Sequence, residues 1–126
     1  MNPNNYASLE ASKRLVEAGI VLETEAGWYK IYRPGCHSFD MVLSLRSGNE
    51  KFYGDNFPAP SMAEVWRELP EEYYKDATDP IRYKVLMSNQ VGYHSGGKDA
   101  GIWFHIESNP ADAIIYLLIR VRKEAK

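Results

Sequence analysis

The sequence predicts one α+β domain over residues 1–126, an antiparallel or mixed β-sheet with about three helices packed mainly on one face. Three observations predict it. Alternating apolar and polar residues recur in consecutive runs separated by short turns, the pattern of antiparallel hairpins. Three segments with capping residues carry apolar side chains at helical spacing. Those helices are too few to cross over between every pair of strands, which excludes a parallel doubly wound sheet.

The first helix is expected from Leu9 to Ala18, with Ser8 as its N-cap and Gly19 where a left-handed residue closes the helix. Leu9, Ser12, Leu15 and Val16 share one face, and Lys13, Arg14 and Glu17 face water. Ile20 to Leu22 is a short apolar run, and Glu23 to Gly27 reads as a turn. Trp28 to Arg33 is a strand, because Trp28, Lys30 and Tyr32 alternate with Tyr29, Ile31 and Arg33. Pro34 and Gly35 break it. Phe39 to Leu45 is the next strand of the hairpin, with Phe39, Met41, Leu43 and Leu45 on one face.

Ser47 to Asn49 turns the chain into a short strand around Lys51 to Tyr53, and Asp55 to Pro60, with two prolines, reads as a linker within the domain. Ser61 and Glu64 form a capping box, in which the hydroxyl accepts from the Glu64 amide and the carboxylate reaches back to the Ser61 amide. Met62, Val65, Trp66 and Leu69 make the stripe of the second helix, and Pro70 stops it. Glu71 to Pro80 is acidic and irregular, with a turn of helix expected around Glu71 to Tyr74. Ile81 to Ser88 is a strand in which Tyr83, Val85 and Met87 alternate with Arg82, Lys84 and Leu86. Val91 to His94 and Ala100 to Glu107 follow as strands, with Gly96 and Gly97 in the turn between them. Ile102, Phe104 and Ile106 are expected inside and Trp103, His105 and Glu107 outside.

Asn109 caps the last helix, Pro110 takes its first position, Asp112 suits the positive end of the dipole, and Arg120, Arg122 and Lys123 suit the negative end. Its apolar residues Ala111, Ile114, Ile115, Leu118, Ile119 and Val121 cover more than half of the circumference, so it should lie buried against a sheet.

Three stretches, Ser8-Leu-Glu-Ala-Ser-Lys-Arg-Leu-Val-Glu-Ala-Gly-Ile, Pro58-Ala-Pro-Ser-Met-Ala-Glu-Val-Trp-Arg-Glu-Leu-Pro and Asn109-Pro-Ala-Asp-Ala with the apolar helix after it, resemble a group of short bacterial proteins. That group is found among prophage-like and mobile-element genes. The resemblance spans all three helix starts in the same order. It implies no catalytic residues, since the group has no assigned activity.

Composition narrows the function classes. Fifteen lysines and arginines against 17 acids give a net charge of −2, so no global field draws in a polyanion. Cys36 is the only cysteine and cannot close an internal disulfide, which favours a reducing compartment and predicts a cytoplasmic protein. Met1 to Asn5 is polar rather than a leader, and the longest apolar run, Ala113 to Ile119, falls far short of the ~18 residues of a membrane span. No membrane association is expected.

Candidate chemistry is sparse. His37, His94 and His105 lack the spacings of metal ligands, so no metal site and no cofactor are expected. Cys36 follows Pro34 and Gly35 in a loop, and with a histidine base it frames one reading, a small hydrolase or metal-dependent enzyme around His94, His105 and Cys36. Nothing like a nucleophile elbow surrounds it. Gly96-Gly97-Lys98 lacks the rest of a phosphate loop and reads as a hairpin turn. Glu71, Glu72, Asp76 and Asp79 read as solvated charge.

Trp28, Tyr29, Lys30, Tyr32 and Arg33 interleave aromatic and basic residues, which frames a second reading, a nucleic-acid-binding strand. Aromatic residues are 13% of the chain, nine of them tyrosine and three tryptophan, a composition suited to a protein-binding surface. The lack of a complete catalytic constellation leans against an enzyme. The leading expectation is therefore a non-enzymatic accessory or protein-interaction module, binding another protein or itself.

Overall fold

The structure, a computed structural model, describes residues 5–32, 34–35, 38–45, 56–74, 78–96 and 100–124. Its elements are α1 (Leu9–Glu17), β1 (Ala26–Tyr32), β2 (Phe39–Leu45), β3 (Phe57–Pro58), α2 (Met62–Glu68), β4 (Glu72–Tyr73), β5 (Arg82–Leu86), β6 (Gln90–His94), β7 (Ile102–His105) and α3 (Pro110–Glu124). Among the described residues the fold is α+β with three helices, and every strand pair is antiparallel. The described strands form two sheets rather than one, ordered β2-β1-β3 and β4-β5-β6-β7.

All three helices start where their caps predict. The Ser8 hydroxyl accepts from Ala11 N at 3.2 Å, Ser61 and Glu64 close the capping box, and Asn109 Oδ1 accepts from Ala111 N at 3.0 Å. Gly19, at φ +75°, ends α1 in the left-handed region. The buried face of α1 is Ala11, Ser12 and Leu15, while Val16, expected inside, is exposed. Small side chains at positions 11 and 12 let the α1 backbone approach α3 and β3, and that contact selects the face over the larger Val16.

The core is one cluster centred on α3. Ile114, Ile115, Leu117 and Leu118 are fully buried, and Ala113 and Val121 nearly so. Leu117 and Ala113 fall outside the apolar face expected from the sequence. They are buried because α3 lies on the four-stranded sheet and is also packed by α1 and α2, leaving little of its circumference to solvent. The sheet offers Tyr73, Val91, Tyr93, Ile102 and Phe104 to this core.

Two segments read as irregular are short strands. Residues 57–58 pair with Gly27 and Trp28 of β1, and the Ala59 amide donates to Ala26 O at 3.0 Å, a place where Pro58 at a sheet edge costs no ladder bond. Residues 72–73, expected as a helical turn, pair with Tyr83 and Arg82. Tertiary contacts decide this: the Tyr73 ring lies 5.3 Å from the Tyr93 ring, and its phenol donates to Glu124 at the end of α3. The strand expected around Lys51 to Tyr53 lies outside the described residues.

Lys84 sits in the inward row of β5 with its side chain only 8% exposed. Its ammonium donates to Trp66 O at 2.9 Å and Leu69 O at 3.3 Å, pairs with Glu71 at 3.2 Å and stands 4.7 Å from the Trp66 ring centroid. It thereby satisfies the carbonyl end of α2, which Pro70 prevents from continuing. Gly92 of β6 has no room for a side chain, since a Cβ there would lie 1.8 Å from Ile102 O. Among the described residues, no helix is long and apolar enough to cross a membrane.

Candidate functional site

The aromatic and basic strand residues have separate fates. Trp28 is half-buried and its indole donates to Ala7 O at 2.9 Å, tying β1 to the chain before α1. Tyr29 is half-buried as well. The Lys30 amide donates to Asn56 Oδ1 at 2.9 Å, and its ammonium lies 4.0 Å from the Phe39 centroid and 5.3 Å from that of Tyr32. Tyr32 is 62% exposed and meets Phe39 edge-on at 6.0 Å. Arg33 lies outside the described residues.

Among the described members of the set Tyr32 is the one that the fold leaves outward, and it is joined by residues of the next strand. Pairing of Trp28 with Leu43, Lys30 with Met41 and Tyr32 with Phe39 sets these side chains on one face. Phe39 is 47% exposed and Leu45 61%, with Met41 and Leu43 half-buried between them. On the opposite face Ile31 and Val42 are exposed too. Alternation alone marks the row as strand. Its exposure follows from the absence of these residues from the core cluster.

The two described histidines, His94 and His105, do not converge. His94, on β6, lies 5.7 Å from the Trp103 ring, and its Nδ1 accepts from the Gly96 amide at 2.9 Å. His105, on β7, pairs with Gln90, four residues before His94, which separates the two imidazole positions by roughly 13 Å along the ladder. Cys36 and His37 lie outside the described residues. Among the described residues, no three His, Cys, Asp or Glu side chains stand close enough to hold a metal ion. Gly96 is in the left-handed region of a turn, and Glu71 is paired with Lys84. Gly97, Lys98 and Asp76 lie outside the described residues.

No protein-family model, curated protein or solved structure matches the chain.

A concave surface along α3 was not marked by any motif. Asp112, Tyr116 and Ile119, spaced by four and three, share one side of the helix. Between this side and the β7 strand lie two hollows that share Tyr116. One, of about 470 Å³, is bounded by Phe104 and Ile119 with Arg14 and Glu17 of α1 at its rim. The other, of about 250 Å³, is lined by His105, Glu107, Asn109 and Asp112.

Several polar groups at the second hollow hold the fold. Asp112 Oδ1 accepts from Ser8 N at 2.8 Å, and Asn109 Nδ2 donates to Tyr6 O at 2.9 Å. Burial first, and then the Asp112 carboxylate, raise the Tyr116 phenol above its ordinary value. Glu107 is exposed and makes no ion pair among the described residues. The helix spacing at 112, 116 and 119 is legible in the sequence. That Arg14 and Glu17 of α1 join the lining of the first hollow is not, because it depends on where a distant helix docks.

Proposed function

We propose that the protein is a non-enzymatic interaction module that docks through its β1–β2 hairpin, with a second copy of the chain as its partner. The exposed apolar hairpin carries this reading: Tyr32, Phe39 and Leu45 on one face and Ile31 and Val42 on the other lie outside the core that α3 organises. A clustered apolar surface of this kind is the usual mark of a docking site. A net charge of −2 opposes self-association only weakly, and antiparallel strands suit a two-fold interface in which each copy offers the same patch. The single Cys36 supports a reducing, cytoplasmic setting. The resemblance to mobile-element proteins supports an accessory role, and the distance between His94 and His105 weighs against a hydrolytic centre.

Sedimentation equilibrium tests it. The wild type is expected to dimerise at micromolar concentration, and Phe39→Lys with Leu45→Lys to weaken the dimer at least about tenfold, the loss of two apolar contacts at 1.4 kcal/mol per decade. Circular dichroism should be unchanged. A monomer across the whole concentration range, or equal association by the double variant, refutes the reading.

One observation favours a second reading. Tyr32, Phe39 and the Lys30 ammonium together make a small stacking surface with a cation, as single-stranded nucleic acid requires. Oligonucleotide binding that weakens steeply as salt rises would select it over self-association.

A further inference from the structure

The geometry points to a peptide-binding groove along the edge of β7, suited to an extended segment with a basic and an apolar residue two positions apart. This goes beyond the hairpin-mediated association and rests on different residues, so either can fail alone.

The backbone of β7 supplies the first requirement. β7 is the last strand of the order β4-β5-β6-β7, paired on one side with β6. Ile106 N donates to Asn89 O at 2.8 Å, so by the alternation of an antiparallel ladder Phe104 and Ile102 turn their amides and carbonyls toward β6. Those of Trp103 and His105 then point away from the sheet and have no backbone partner among the described residues. An added extended backbone matches the spacing of these donors and acceptors.

The hollows supply the second. Side chains two apart on an added strand point the same way, roughly 6.8 Å from each other. Asp112, which lines the polar hollow, and Tyr116, which lines both, are four helical residues apart, a rise of about 6 Å. A strand along β7 can thus set one side chain into the apolar hollow over Phe104, Tyr116 and Ile119, and the next of the same parity into the polar one. Antiparallel pairing, the more favourable kind, places the polar-hollow residue on the N-terminal side.

Charge selects what enters. The polar hollow holds Glu107, without an ion pair among the described residues, and Asp112, one oxygen of which is occupied by Ser8 N. A lysine or arginine side chain complements these carboxylates, and an acidic one is repelled.

The probe is a capped, fluorescein-labelled heptapeptide, Thr-Lys-Thr-Val-Thr-Val-Thr, compared with its Glu-for-Lys version and with one N-methylated on the amides that face β7. Fluorescence anisotropy gives affinity, and amide hydrogen exchange by NMR gives location. The Lys peptide should bind at least about fivefold tighter than the Glu peptide, the scale of a partly exposed ion pair. It should slow exchange at Trp103 and His105, and the N-methylated peptide should not bind. Glu107→Lys, a change at an exposed position, should reverse the preference between the two charged peptides while leaving the thermal midpoint in place. Equal binding of the two charged peptides, binding by the N-methylated one, or unchanged exchange at Trp103 and His105 overturns the inference. Protection of those two amides that rises with protein concentration in the absence of peptide overturns it in favour of a second copy pairing there.

Discussion

Under α3, the four-stranded sheet buries Val91 and Tyr93 completely and packs Ile102 and Phe104 against the core, whereas the comparably apolar row of the β1–β2 hairpin leaves Tyr32, Phe39 and Leu45 outward. Both rows alternate as strands do. What separates them is the third dimension: α3, apolar over most of its circumference, covers the four-stranded sheet while α1 and α2 pack its other sides, whereas the outer part of the hairpin lies beyond the reach of the core. Alternation therefore reports a strand, and only a partner layer turns it into burial.

The sharpest break of that comparison is in the core. Ile114→Ala should cost about 2–5 kcal/mol in urea unfolding, since a fully buried side chain leaves both lost burial and a cavity. A cost near that of a surface change would mean that α3 does not organise the fold.

Lys84 tests whether a charge inside the sheet-and-helix layer stabilises it. Lys84→Met keeps the stem and removes the bonds to Trp66 O and Leu69 O, and should cost about 1.5–3 kcal/mol. An unchanged midpoint would show that water caps α2 equally well.

Alkali should open the same layer at the tyrosines. Burial, with the Glu124 hydrogen bond next and its charge after that, pushes the Tyr73 phenol up to about 12 from 10.0, and burial raises Tyr93 as well. Folding favours the neutral phenol, so its contribution is complete below pH 10 and lost as pH rises toward 12. The loss for Tyr73 is on the order of 2 kcal/mol, visible as a falling denaturation midpoint whose slope becomes shallower in Tyr73→Phe, the remaining slope coming from Tyr93. A pH-independent midpoint in that window would contradict the burial of both rings.

Ser12 Oγ is buried with no hydrogen-bond partner among the described residues. Ser12→Ala should raise stability by about 0.5–1 kcal/mol, combining better helix propensity with relief of an unpaired hydroxyl. The smallest effect belongs to the hairpin: Leu45→Ser, at a position 61% exposed, should change monomer stability by no more than about 0.5 kcal/mol while weakening self-association. A larger loss of stability would place Leu45 in the folding core and remove it from the docking surface.

The helix starts were legible because caps are local: Ser8, Ser61 with Glu64, and Asn109 bond to amides two or three residues away. The longer strands were legible for the same reason, their alternation being a property of neighbouring residues. Glu72 and Tyr73 were not, because only the distant pairing with Tyr83 and Arg82 makes them a strand. The candidate surfaces were partly legible. Trp28, Tyr29, Lys30 and Tyr32 were visible as a pattern, but their division between fold and surface depends on Ala7, Asn56 and Phe39. Of the groove only the helix spacing at Asp112, Tyr116 and Ile119 was legible, since Arg14, Phe104 and Tyr116 come from three separate elements.

The chain's own order of residues determined the three helices, where each begins, the longer strands, and that α3 is the most apolar helix. Tertiary structure decided that the described strands form two sheets, that residues 57–58 and 72–73 are strands, that Lys84 faces inward, that Val16 and Leu45 face outward, and that among the described residues β7 is left at an edge beside a groove. Helix and strand signals act over a turn or two of backbone, whereas burial and edge position depend on which distant surfaces meet.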